Sequence, residues 1–335
     1  MKILIFVLFF LIINSSTLNA NTLDEVIDRG YLNCGISENL LGFATVNDKS
    51  EWVGFDVDLC RAVSAAIFGD SQKVKFITTT TRSRFPILAS GDIDLLARNT
   101  TWTFSRDTNL AFEFAGINFY DGQGFMSLKS NNINNINDFQ DAKICVESGS
   151  AKEFNIDIFF EKKNININKL LVDIDEEALE NYLVDRCDIY TNFISELASL
   201  RVNLPQSSKH TILPFVISKE PLGPLVRHGD SEWADIVRWS LNTMIIAEEL
   251  NLTSSNIDDN LDSDNKEILR LLGIIGNYGD MLELDFNWAY NIIKQVGNYA
   301  SVFNRNLGKD SALGIERGLN ALWLNEGLLY SPPFR

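Results

Sequence analysis

Apolar residues along this chain recur at two alternating spacings, and the alternation predicts the architecture. In FDVDLCRAVSAAIFGD (55–70), Phe55, Leu59, Val63 and Ile67 lie on one face of a 3.6-residue repeat closed by Gly69, which predicts a helix. KVKFIT (73–78) alternates as a strand. TRSRFPILASG (81–91) predicts a helix with Pro86 in its first turns and Gly91 past its end, and DIDLLA (92–97) is again a strand. Ahead of these, TLDEVIDRG (22–30) reads as a short capped helix and YLNCGIS (31–37) as a strand.

A second series repeats the rhythm. AKICVES (142–148), LLVDI (170–174) and CDIYT (187–191) are strands, alternating with helices over SAKEFNIDIFFEKK (150–163), DEEALENYLVDR (175–186) and ISELASLRV (194–202). Alternating β and α elements predict an α/β fold with open, mostly parallel sheets flanked by helices, and two such series predict two lobes. From Ser231 to the end the chain is expected to be helical, with apolar stripes in IVRWSLNTMIIAEEL and NWAYNIIKQVGNYASVFNRN and a loop over the Asn- and Asp-rich stretch 251–265. No repeat of 20 to 50 residues is present.

The first twenty residues stand apart. One cation at Lys2, an uninterrupted apolar run from Ile3 to Ile13, then polar residues and a small residue at Ala20 form the layout of a secretory signal peptide, and the run is too short to span a bilayer. The expectation is a mature, exported, periplasmic protein of about 315 residues starting near Asn21, long enough for two domains. The formal charge is −16, which disfavours nucleic-acid binding and fits a dissolved monomer. Export places Cys34, Cys60, Cys145 and Cys187 in an oxidising compartment where pairing is expected. Three connectivities are open, and free buried thiols are a further alternative. Sequential pairing would keep each bridge local and contribute about 3.5 to 4 kcal/mol apiece on the chain-entropy account. The cysteines show no zinc spacing, and no metal or cofactor is expected.

In open sheets of this kind ligands sit beyond the carboxyl ends of the strands. Four loops occupy such places: Ser37–Ala44, ARNTTWTFSRD (97–107), ESGSAK (147–152) and TNFIS (191–195). The second sets five hydroxyl or amide side chains and Trp102 between Arg98 and Arg106. Asn99, Thr100, Thr101 and Arg106 have the composition of a carboxylate cage, because a guanidinium fork holds a carboxylate bidentately and hydroxyls and backbone N–H groups complete it. By itself the pattern also describes a solvated helix cap, and Trp102 also suits a core. Enzyme motifs are missing: there is no GxSxG, HExxH or GxxxxGK[ST], and GQGFMS (122–127) falls short of a dinucleotide fingerprint.

GFDVDLCRAV, SGDIDLLARNTTWTFSRDT, YDGQGFM, RCDIYT, ISKEPLGPLVRHGD, WAYNIIKQVGNY and GLNALW together resemble the secreted solute-binding proteins of general and polar L-amino-acid ABC transporters, from about Thr22 to Arg335. The resemblance implies a two-lobed Venus flytrap with two crossovers and a helical C-terminal extension. Lobe 1 would comprise 21–121 and 223–335, and lobe 2 would comprise 122–222. Ligand would be trapped by hinge closure and the closed form read by a membrane permease. It also implies roles: Arg106 and Thr101 for the ligand carboxylate, Asn99 as a backbone contact, Thr81 and Arg84 lining the pocket, Phe43 and its loop facing the ligand side chain, Gly122 and Gly124 at the hinge, and the pairs Cys34–Cys60 and Cys145–Cys187.

Two departures stand out. Relatives carry hydroxyls where this chain reads Gly149-Ser150-Ala151, so only Ser150 remains, and Phe193 stands where relatives place an aspartate for the ligand's ammonium. Glu147, Asp121, Asn192 or the Phe193 ring face could compensate; alternatively the ligand has no ammonium, or Phe193 plugs a weakened site. The implied function is capture of a small carboxylated solute, an L-amino acid, for an ABC importer, with no catalysis. Two other readings stay open: a flytrap-fold dehydratase of the cyclohexadienyl type, with Glu147 or Glu153 as general acid, and a ligand carrier for a chemoreceptor.

Overall fold

A computed structural model describes residues 21–335; the expected signal peptide, 1–20, lies outside the described residues. Two five-stranded sheets organise it. In the first, the strand Leu32–Ser37 pairs in parallel with Val74–Thr79 and with Leu95–Leu96, while Leu225–Arg227 runs antiparallel to Leu95–Leu96 and to Phe112–Phe114. In the second, Lys143–Glu147 pairs in parallel with Asn168–Val172 and Ile189–Phe193, while Gln123–Leu128 runs antiparallel to Ile189–Phe193 and His210–Ile212. Each sheet is thus a parallel three-stranded block with two antiparallel pairings, more mixed than the βα rhythm predicts. The antiparallel strands arrive from outside the local βα units, which a local pattern does not encode.

Two short strands connect the sheets. Phe119–Asp121 pairs antiparallel with Glu220–Leu222, in the register Glu220 to Asp121. The chain leaves the first sheet through one and returns through the other, so the second sheet is built wholly from residues between them. Gly122 sits just past this ribbon. An added Cβ there would lie 2.9 Å from the Ser218 carbonyl oxygen and collide with the Val216 side chain, and at Gly124 it would lie 2.8 Å from Ile194. Close packing is therefore the structural demand for glycine at both places.

The period-2 pattern places side chains as expected on the second sheet. Phe125, Ile144, Val146 and Ile189 face one buried cluster with Phe139 and Phe160, while Met126, Cys145 and Tyr190 face the other with Tyr182 and Leu197. The first core is larger, because the helices Ser231–Glu249, Trp288–Gln295 and Tyr299–Asn306 pack onto the helix Phe55–Phe68. The stripe over 287–306 forms two helices: Gly297 takes φ 99° and Asn298 caps the second by accepting from the Ser301 N–H. Beyond Asn306 the expectation of helix fails. Leu307, Leu313, Leu322, Leu329 and Phe334 are buried, yet only two 3₁₀ turns form there. Their irregular spacing offers no helical stripe, and Gly308, Gly314, Gly318 and Gly327 interrupt the segment.

Both cysteine pairs are the sequential ones. Cys34 joins Cys60 at a Cα separation of 6.2 Å, tying a strand to the helix that covers it, and Cys145 joins Cys187 at 5.8 Å. Among the described residues no helix is long and apolar enough to cross a membrane.

Candidate ligand site between the two sheets

The loop after Leu95–Leu96 is held on three sides. Ala97 donates its N–H to the Gly35 carbonyl, and Asn99 donates its N–H to Asp56 Oδ2 at 3.2 Å. Trp102 donates its N–H to Pro221 on the returning connector at 2.7 Å. Asn99 takes a positive φ of 21°, a conformation asparagine tolerates better than most residues. Asp56 is buried, and loss of hydration pushes its carboxyl up to about 6 against the hydrogen bonds from Asn99 and Asn118. Thr103 then caps the six-residue helix Phe104–Asn109, accepting from the Arg106 N–H at 3.3 Å.

Three guanidinium groups converge on this loop. Arg106 is half-buried and donates through Nη1 to the Thr101 carbonyl at 2.8 Å. Arg84, only 6% exposed, donates Nη1 to Thr100 Oγ1 at 3.3 Å, and its Nε is buried without a partner. Arg98 donates Nε to the Thr79 carbonyl at 3.0 Å, with Nη2 3.5 Å from Thr81 Oγ1. Burial lowers all three below the usual range; Arg84 falls to about 9, with repulsion from Arg106 and Arg98 adding to the loss of hydration. Among the described residues, no carboxylate oxygen lies within 4.0 Å of any of the three. Three crowded, partly desolvated cations, with Glu196, Asp56 and Glu220 nearby but none in a direct ion pair with them, have the make-up of an anion site.

Facing them, the strand Ile189–Phe193 runs into the helix Ile194–Asn203 at Phe193, whose half-buried ring occupies the corner. Glu196, in the first turn of that helix, accepts from Asn99 Nδ2 at 3.1 Å, and this hydrogen bond joins the second-sheet side to the first. Ser37 Oγ donates to the other end of the same amide at 3.3 Å. Loss of hydration raises the Glu196 carboxyl, with Asp175 adding to the rise and Lys152 and Arg98 opposing it. Lys152 itself is held by Asp175 at 2.6 Å. Ser150 caps the helix Ala151–Lys163, accepting from the Glu153 N–H and donating to the Glu147 carbonyl at 2.7 Å.

The structure thus brings Arg106, Thr101, Asn99, Thr100 and Arg84 into one loop cluster, with Thr81 at its exposed edge beside Arg98 and Phe193 at the opposing corner. Phe43 does not join them. It is 1% exposed and edge-on to Phe55 and Phe119, a core residue, because its loop folds inward at that position. Trp102 stacks on Phe114 with ring centroids 5.1 Å apart. Of the residues considered as substitutes for an acid at position 193, Asn192 is already bound to Asp175 and Tyr190. Asp121 receives the Ser195 hydroxyl and the Gly122 N–H, and burial raises it to about 7. The sequence pattern places Arg98 and Lys152 in strand-end loops without assigning them a role, and does not mark Asp56, Asp175 or Glu196.

Residues 32–255 match the family described as bacterial extracellular solute-binding proteins, family 3. The chain belongs to that family. This solute-binding protein is 46% identical over 318 residues to the glutamate/glutamine/aspartate/asparagine-binding protein BztA of Rhodobacter capsulatus, covering 95% of this chain and 94% of that one. It is 45% identical to the general L-amino acid-binding periplasmic protein AapJ of Rhizobium johnstonii, covering 97% and 96% of the two chains. Among solved structures, an ABC transporter periplasmic binding protein from Brucella ovis with glutathione bound superposes with a TM-score of 0.88 at 48% identity, covering 94% of this chain and all of that one. The two-sheet α/β architecture is the periplasmic-binding-protein fold.

Proposed function

We propose that this solute-binding protein captures an L-amino acid, or a closely related carboxylated solute, between lobe 1 (21–121 and 223–335) and lobe 2 (122–222), and hands it to the membrane permease of an ABC importer. The observation that carries the reading is the set of three guanidinium groups with no carboxylate in direct ion-pair contact, poised at strand ends on one side of the interlobe boundary. A ligand carboxylate received by the Arg106 fork and the Thr101 hydroxyl would supply the missing charge. BztA and AapJ are both named as amino-acid-binding proteins, which supports the same class, as does the glutathione of the Brucella structure, whose γ-glutamyl end is an α-amino acid. Gly122 and Gly124, at the connector, are the hinge in this reading, and the protein acts as a monomer after its leader is removed.

Catalysis is not part of the proposal. Of the two carboxyls weighed as a dehydratase's general acid, Glu147 and Glu153, the second would have to hold its proton. Glu153 is the opposite, held below the usual carboxylate range by Lys169 and the Gly149 N–H. Calorimetry of ligand-stripped protein against the standard amino acids and common organic acids tests the reading. Binding by at least one L-amino acid is expected, with Arg106→Ala weakening it a hundredfold or more. No heat from any of them, or no effect of Arg106→Ala, rejects it.

A further inference from the structure

The boundary between the lobes holds unpaired charges of both signs. The cations are Arg84, Arg98 and Arg106. Facing them from the other lobe is Glu196, and among the described residues no Lys, Arg or His nitrogen lies within 4.0 Å of its carboxylate. Its Oε1 has one hydrogen bond, from the neutral amide of Asn99, and its Oε2 has none. The neighbouring acids differ. Asp175 is ion-paired with Lys152 and also accepts from Tyr190 and Asn192, and Asp121 is occupied by Ser195 and Gly122. Glu196 is thus a carboxylate at this boundary with spare acceptor capacity, drawn on only at a distance by Lys152 and Arg98; Glu220, on the returning connector, accepts from Ser218 and lies toward Arg106.

We infer that Glu196 is the specificity-determining residue that receives the α-ammonium group of the ligand, three residues beyond the uncharged Phe193 corner. This rests on the reading of the interlobe boundary as an amino-acid site, and it deepens that reading: guanidinium groups on one lobe and a carboxylate with a free oxygen on the other fit a zwitterion, and discriminate against an acid lacking the amine. Phe193 is the N-cap of the helix and Glu196 stands in its first turn, so the two leave the chain within one turn of each other. Asn99, which already bonds Glu196, positions the carboxylate from the opposite lobe.

The test compares L-glutamate with glutarate, the same skeleton without the ammonium, by calorimetry on the mature chain. The wild type is expected to bind the amino acid at least a hundredfold more tightly than glutarate. Glu196→Gln, which keeps the Asn99 hydrogen bond, should weaken L-glutamate about a hundredfold and leave glutarate within about threefold. Glu196→Asp should keep part of the discrimination, and thermal melts establish that both variants fold. Equal losses for the two probes, or no loss for either, overturn the assignment of Glu196. Arg106→Ala should abolish both probes, so loss there with unchanged discrimination in Glu196→Gln sinks the inference alone. If the wild type binds neither probe, each of the twenty L-amino acids is run against its desamino acid; binding by none rejects the amino-acid reading and the inference together.

Discussion

Phe43 and Glu196 show how far a side chain's role depends on its surroundings. An aromatic residue in a strand-end loop is compatible with ligand contact, yet Phe43 lies among Phe55, Phe119 and Ala44 inside the first core. Phe43→Ala should therefore cost about 3 to 5 kcal/mol of folding stability, read by urea denaturation, while the folded fraction keeps its ligand affinity. A loss of affinity at unchanged stability would return Phe43 to the site. Glu196 is the converse. In the string ISEL it reads as an ordinary acid in a helix's first turn, where it favours the helix dipole. What changes its meaning is Asn99, almost a hundred residues away in sequence and 3.1 Å away in space.

Among the elements, the helix Phe55–Phe68 carries the most. Its buried face joins the strand Leu32–Ser37 through Cys34–Cys60, and its first turn supplies Asp56 to the Asn99 N–H. The bridge closes a loop of 26 residues, so replacing both cysteines by alanine should cost about 3.5 kcal/mol, measured as a lower denaturation midpoint relative to the untreated protein. Reduction by thiol reagent should reproduce the loss. Because the same helix anchors the cage loop, the double variant should also weaken ligand binding; unchanged affinity would uncouple the helix from the site. Helices with a regular stripe and a cap were legible in the sequence. The strand Gln123–Leu128 was not, since its place between Ile189–Phe193 and His210–Ile212 is set by long-range pairing.

For the whole molecule, the connector between the sheets carries a titratable group. Asp121 ends the strand Phe119–Asp121, and burial pushes its carboxyl up to about 7, above the ordinary aspartate value. A raised carboxyl keeps its proton in the folded protein where the unfolded chain has released it. Its contribution is thus greatest at low pH and is lost as pH rises from about 4 through about 7, at no more than about 1.4 kcal/mol per pH unit. Asp56, raised to about 6, adds a loss of the same sign. Asp121→Asn should flatten this part of the stability profile, measured by urea denaturation at pH 5 and pH 8, and an unchanged slope would show that Asp121 does not titrate there.

From its sequence alone this protein disclosed the α/β rhythm, two series of elements, the helix caps and the guanidinium-rich loop, because period, capping and strand-end position are local properties of a chain. Tertiary structure decided the rest. It determined which arginines lack a direct ion-pair partner, whether Phe43 is inside or outside, which strands enter each sheet antiparallel, and that Glu196 meets Asn99. Those facts depend on distances between residues remote in sequence, and on the hydration each group loses when the sheets and their loops come together.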